Sequence, residues 1–177
     1  MFESIFEITY FGNTIFQVMI FFIAIVISVA IGKIAYYIVK THFRKIAEKT
    51  KQKFDDLIID AIEKPISFFL ILIGITIGTQ FLIIPENFTG IVNSILSMLF
   101  TIGVTWVLVN LVEGIMKYFI TPMAKTTDSK LDDQIIPVIS KTIKALIIGL
   151  AITLILSNFG YDITTIIAGL GIGGLAV

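Results

Sequence analysis

Four long apolar stretches constrain this chain more than anything else in it. They run from about Ile15 to Val39, from Ile66 to Ile84, from Ile91 to Val112 and from about Ile135 to Phe159. Each is near the roughly 20 residues that carry a helix across a bilayer. Of the 177 residues 56% are hydrophobic, and the mean hydropathy is +0.99. A soluble protein with buried helices would need more polar surface than this chain has left to cover its core. The expectation is an all-α, polytopic membrane helical bundle. Glu3 and Glu7 stand near the start and no base precedes Lys33, whereas a cleavable signal peptide opens on basic residues. With no Cys in the chain, disulfides and thiolate metal sites drop out.

The cations are sorted along the chain. Arg44, Lys45, Lys49, Lys51 and Lys53 lie between the first and second stretches, and Lys117, Lys125 and Lys130 between the third and fourth. Lys33, Lys40, Lys64, Lys141 and Lys144 sit at the ends adjoining those two loops, where they can snorkel to the interface. The N-terminus and the turns at 85–90 and 158–162 carry none. Basic loops face the cytoplasm, so both loops are expected inside and the N-terminus outside. The cluster from Lys40 to Lys53 would meet anionic headgroups. Positive and negative charges balance, 13 against 13, which by itself says nothing about nucleic acid; no nucleic-acid partner is expected.

The chain also repeats itself. KFDDLIIDAIEKPI at 53–66 aligns with KLDDQIIPVISKTI at 130–143, eight of fourteen positions being identical at an offset of 77. The same offset lays the first stretch on the third and the second on the fourth. The unit is thus a helical hairpin, duplicated in parallel orientation. Asp55 and Asp56, like Asp132 and Asp133, stand before an apolar run. Asp55 and Asp132 are expected to cap helices, where an Asp side chain accepts backbone N–H and its charge suits the positive helix end. A carboxylate pair that binds a cation or a neighbouring subunit's basic loop is the alternative, with no third ligand at suitable spacing. His42 reads as a solvated side chain, since one His without Cys makes no metal site.

Polar residues inside the stretches are few. Asn93, Asn110 and Gln80 lie near their ends, and Thr76, Thr101 and Thr105 can bond the helix backbone. No charge falls clearly at a bilayer midplane, where an ion-coupled transporter usually needs one. No phosphate loop, nucleophile motif or acid–base pair points to an enzyme, and no cofactor or metal is expected.

The last fifteen residues, 163–177, read ITTIIAGLGIGGLAV and carry no charge. They cover only about 22 Å as a helix, short of the roughly 30 Å of hydrocarbon, so a fifth span is expected to continue past Val177. On a helical wheel Gly169, Gly173 and Ala176 form one small-residue flank, and Gly171 and Gly174 another. Ala168, Ile172 and Leu175 lie between them on one side, Ile166, Leu170 and Val177 on the other. Small residues let helices approach closely in lipid. Two such flanks suit a ring of copies related by rotation; a single contact inside a monomeric bundle is the plainer possibility.

From Leu131-Asp-Asp-Gln through Asn158-Phe-Gly-Tyr-Asp to Gly171-Ile-Gly-Gly-Leu-Ala-Val177, the chain resembles the membrane portion of MscS-type mechanosensitive channels, as a larger member with extra N-terminal transmembrane helices. The resemblance covers roughly the last 50 residues well. It implies a pore-lining final helix with a Gly/Ala-packed ring. Ala168, Ile172 and Leu175 would face the pore, the first narrowing leucine being Leu175, while Gly169, Gly171, Gly173, Gly174 and Ala176 would pack. It further implies a homo-oligomer, a heptamer, in contact with membrane lipids in a prokaryotic cell membrane. Such a channel opens under membrane tension and releases ions and small solutes during hypo-osmotic stress. The expected parts are a first hairpin (1–84), a second hairpin (85–159) and the start of the pore-lining helix (160–177), five spans in all with the last incomplete. A pore-less membrane scaffold or partner subunit is the runner-up, and a small-solute transporter the third reading.

Overall fold

The computed structural model describes residues 9–10, 12–45, 53–124 and 132–175. Two short strands, β1 (Thr9–Tyr10) and β2 (Asn13–Thr14), form an antiparallel ribbon turned at Gly12, whose φ of +81° suits glycine. Thr14 then caps α1 (Ile15–Ile38). Its hydroxyl accepts the Gln17 N–H at 3.2 Å while the Gln17 side chain accepts the Thr14 N–H at 2.8 Å, a reciprocal capping box. The helix continues through a π turn at Val39–Phe43. After the first basic loop come α2 (Lys53–Ile62) and α3 (Pro65–Thr79). Then α4 (Glu86–Ile115) passes through a second π turn, Met116–Ile120, into α5 (Thr121–Ala124). After the second loop follow α6 (Asp132–Asn158) and α7 (Thr164–Leu175).

The two π turns fall at the same place in the repeat, since 39–43 and 116–120 differ by 77. The helices after the basic loops differ between repeats. In the second, α6 runs unbroken with Pro137 inside it. In the first, Pro65 has no N–H to give the Ala61 carbonyl four residues back, and the helix breaks into α2 and α3 with Pro65 at the start of α3. The Asn110 side chain donates to the Ala61 carbonyl instead, at 3.2 Å.

The chain is a multi-pass membrane protein of helical fold. Among the described residues three helical runs are long and apolar enough to cross a bilayer: Ile15–Phe43, Glu86–Ala124 and Ile135–Asn158. The second apolar stretch departs from expectation. Its helix is the 15-residue Pro65–Thr79, about 22 Å long. The helix ends in a tight turn over 80–82, short of the expected span to Ile84, and Asn13 pairs with the Ile83 backbone beyond it in both directions, at 2.9 and 2.6 Å.

Close helix approach organises the first hairpin. A Cβ on Gly32 would stand 3.2 Å from the Ser67 carbonyl oxygen, and the Ser67 hydroxyl donates to the Gly32 carbonyl at 2.7 Å. Gly74 and Gly78 of α3 face Ser28 and Phe21 of α1, with no room for a side chain on either. Between the hairpins, Gly103 of α4 lies under the rings of Phe68 and Phe69, and these rings meet Trp106 and Phe100 edge-on at 6.4 and 5.8 Å. In the second hairpin the Ser94 hydroxyl donates to the Asn158 carbonyl and the Asn158 amide to the Ser97 hydroxyl, both at 2.8 Å. Thr76, Thr101 and Thr105 bond carbonyls of their own helices at 2.7–2.9 Å, as expected. Large apolar side chains remain exposed along the bundle, Phe22, Val26, Phe100 and Leu146 among them. Such a surface belongs against lipid or further protein.

Candidate pore helix and the charged end of the bundle

Helix α7 begins at a sharply built corner. Gly160, at φ +84°, ends α6, and the Tyr161 N–H closes back on the Leu156 carbonyl at 3.1 Å. The Asp162 carboxylate accepts the Thr164 N–H at 2.9 Å. The Thr164 hydroxyl and that backbone bond hold the fully exposed Asp162 carboxyl below the usual aspartate range. From there α7 is apolar apart from Thr164 and Thr165, with glycine at 169, 171, 173 and 174. Residues 164–169 and 171 are all exposed, Ala168 included, and a Cβ on Gly169 or Gly171 would enter open space. Gly173, Gly174, Ile172 and Leu175 lie on the helix, and by register Ala168, Ile172 and Leu175 share one face. Ala176 lies outside the described residues, as do Lys49, Lys51, Lys125 and Lys130.

Asp55 stands with Asp56 in the first described turn of α2, inside the helix rather than ahead of it, where its charge acts on the positive helix end. Asp132 is the first residue of α6. His42 is exposed, its Nδ1 3.1 Å from the Thr41 hydroxyl. Among the described residues no group of three His, Cys, Asp or Glu side chains could hold a metal ion.

The opposite end of the bundle holds a charged cluster that sequence reasoning missed. Asp60, on α2, uses both carboxylate oxygens. Oδ1 accepts from Arg44 Nη2 at 3.0 Å; Oδ2 accepts from Lys117 Nζ at 3.0 Å and from the Tyr118 hydroxyl at 2.6 Å. Arg44 Nη1 donates to Glu63 Oε2 at 3.1 Å, and Glu63 is buried. Lys144, placed by the sequence where it can reach the interface, donates to Glu113 at 2.7 Å. Burial pushes the Asp60 carboxyl up, but the Tyr118 and Lys117 hydrogen bonds and the Lys117 and Arg44 charges outweigh it, leaving Asp60 below its ordinary value. A cleft of about 440 Å³ opens beside these groups, lined also by Lys64, Trp106 and Asn110. Leu57 of α2 packs where Gly114 of α4 leaves space. The partners of Asp60 lie 16, 57 and 58 residues away, so no local spacing reveals them. Gly74 and Gly78, four apart on an apolar stretch, were a readable packing signal.

The family described as "Mechanosensitive ion channel, transmembrane helices 2/3" matches residues 141–177. The chain is 36% identical over 167 residues, 94% of its length, to the small-conductance mechanosensitive channel MscMJ of Methanocaldococcus jannaschii, covering 48% of that protein. It is 34% identical over 166 residues, 93% of its length, to the large-conductance mechanosensitive channel MscMJLR of the same organism, covering 46% of it. An uncharacterized MscS family protein of Bacillus subtilis, YhdY, is 24% identical over 131 residues, 74% of this chain and 35% of that protein. No solved structure matches. The chain spans about half the length of the first two relatives.

Proposed function

With the chain placed in the MscS-type mechanosensitive channel family by these relatives, we propose that it is the membrane part of a tension-gated ion channel, in which copies of α7 line a shared pore. The observation that carries this reading is the exposed start of α7, an apolar helix whose residues 164–169 and 171 are exposed and whose glycines at 169 and 171 face open space in a single chain. A helix with that surface gains most by packing against a copy of itself through its small flanks. Closed into a ring, it presents Ala168, Ile172 and Leu175 to the axis and Gly169, Gly171, Gly173, Gly174 and Ala176 to its neighbours. The apolar constriction excludes water and so blocks ions. Stretching the bilayer favours the arrangement of larger in-plane area. The hairpins at 1–84 and 85–159 meet lipid and pass its tension to the ring that begins in 160–177. The N-terminus is outside and both basic loops are cytoplasmic, with α3 and α7 as the second and fifth crossings. The product of opening is release of ions and small solutes under hypo-osmotic stress.

Patch recording of the full gene product under graded suction tests this. A polar group in the constriction eases its hydration, so Leu175→Ser should open at lower suction than the parent. If no suction-dependent current appears in an assembled parent, the channel reading fails, and a pore-less subunit that co-purifies with a partner takes its place.

A further inference from the structure

We infer that Asp60 is a clamp that fastens the two hairpins at their charged end, and that its release accompanies opening. The gating part rests on the channel reading; the clamp itself rests on geometry.

Helix α2 belongs by sequence to the first hairpin, yet it lies on the end of α4, in the second. Leu57 fills the notch at Gly114, and Asn110 bonds the Ala61 carbonyl. Between them in the chain stands Asp60. Its cationic partners come from both hairpins, one just after a π turn and one inside the other. Arg44 directly follows the first π turn, and Lys117 lies with Tyr118 inside the second. The duplicated turns, 77 residues apart, therefore converge on a single carboxylate. The acid itself is not duplicated, for Asp60 and Glu63 correspond to Pro137 and Ser140 in the second repeat. The chain thus makes this link once, from its first repeat to its second.

Isolated exposed ion pairs contribute little. This is a network in which Glu63 is buried, Asp60 is 25% exposed and every carboxylate oxygen of Asp60 is engaged. Removing the Asp60 charge leaves Arg44 and Lys117 as like charges around one point. A rise in in-plane area parts the hairpins, so a bond across them favours the smaller, closed arrangement. The π turns add a means of release. Relaxing one to α geometry removes a residue from the turn and rotates the downstream helix by about 100° relative to the upstream one.

Two measurements on the full gene product test the clamp. In patches, Asp60→Asn and Lys117→Gln should each raise open probability at low suction by about fivefold or more. The double variant should add little beyond either single one, and Asp60→Glu should lie nearer the parent. Separately, a thiol at Leu57→Cys should react with a maleimide faster when Asp60→Asn is also present. If the assembled parent gates but Asp60→Asn and Lys117→Gln leave its threshold unmoved, the clamp is wrong while the channel reading stands. If the parent passes no suction-gated current, the channel reading has failed, and the thiol rate alone decides: an unchanged rate overturns the clamp. Should Asp60→Asn not assemble, Lys117→Gln takes its place in both arms.

Discussion

A side chain added at Gly74 has nowhere to go, since a Cβ there would overlap the Ser28 side chain and lie 3.1 Å from the Ala24 carbonyl oxygen. Gly74→Ala should lower stability in detergent by about 1–3 kcal/mol, the usual cost of overpacking. Gly149 is the control. A Cβ there meets nothing within 4 Å, and Gly149→Ala should be neutral or gain up to about 1 kcal/mol of helix propensity. Denaturant titration of both variants checks this; a loss at Gly149 as large as at Gly74 would mean that another surface packs on it. Asp60 supplies a pH prediction. Its carboxyl is held below the ordinary aspartate range in the folded chain, burial being outweighed by the Tyr118 and Lys117 hydrogen bonds and the nearby cations. A lowered folded value means that the stabilisation is complete above the unfolded value and is lost as pH falls through the folded one. The stability gap between parent and Asp60→Asn should therefore be flat from about pH 8 to about pH 5 and shrink only below about pH 4. A gap that closes near pH 6 would contradict the assignment. Of these two sites, the four-residue glycine spacing at 74 and 78 was open to reading, because packing in lipid leaves a local pattern. The partners of Asp60 were not, because they meet through tertiary folding.

At the scale of the element, Pro65 separates the two repeats. The Asp-Asp motifs are shared, but only the first copy breaks, and the break turns α2 onto α4. Pro65→Ala restores an N–H that competes with Asn110 for the Ala61 carbonyl. The helix should then run straighter through 63–64, as α6 does through 140–141. A thiol at Leu57→Cys should label faster in Pro65→Ala than alone; equal rates would show that packing at Gly114, not the proline, fixes α2. The duplication, the helical class and three of the long helices were legible in apolar length and in the offset of 77. The shortness of α3 was not. Apolar residues continue to Ile84, while the chain past Thr79 is held by the Asn13 side chain pairing with Ile83 from 70 residues away.

At the scale of the molecule, the charged cluster and the helix ends leading to both basic loops lie together, while Asn13, Ile83, Ser94 and Asn158 make their bonds at the other end. This one-sided arrangement supports a cytoplasmic charged end. A cysteine introduced at Asn87 should react with an impermeant reagent in intact cells, and one at Thr50 only after permeabilisation; the reverse pattern would invert the topology. The proposed pore rests on α7, whose glycine-flanked surface has no neighbour within one chain at Gly169 or Gly171. Thiol modification in excised patches tests it most directly. Ile172→Cys and Leu175→Cys, made in the full gene product on a cysteine-free background, should lose most of their suction-activated current to a bulky charged methanethiosulfonate, and faster under suction than at rest. Ile23→Cys, on the exposed face of α1, should keep its current. Full current at positions 172 and 175 after the reagent, with current lost at Ile23→Cys, would place the pore elsewhere and contradict the account.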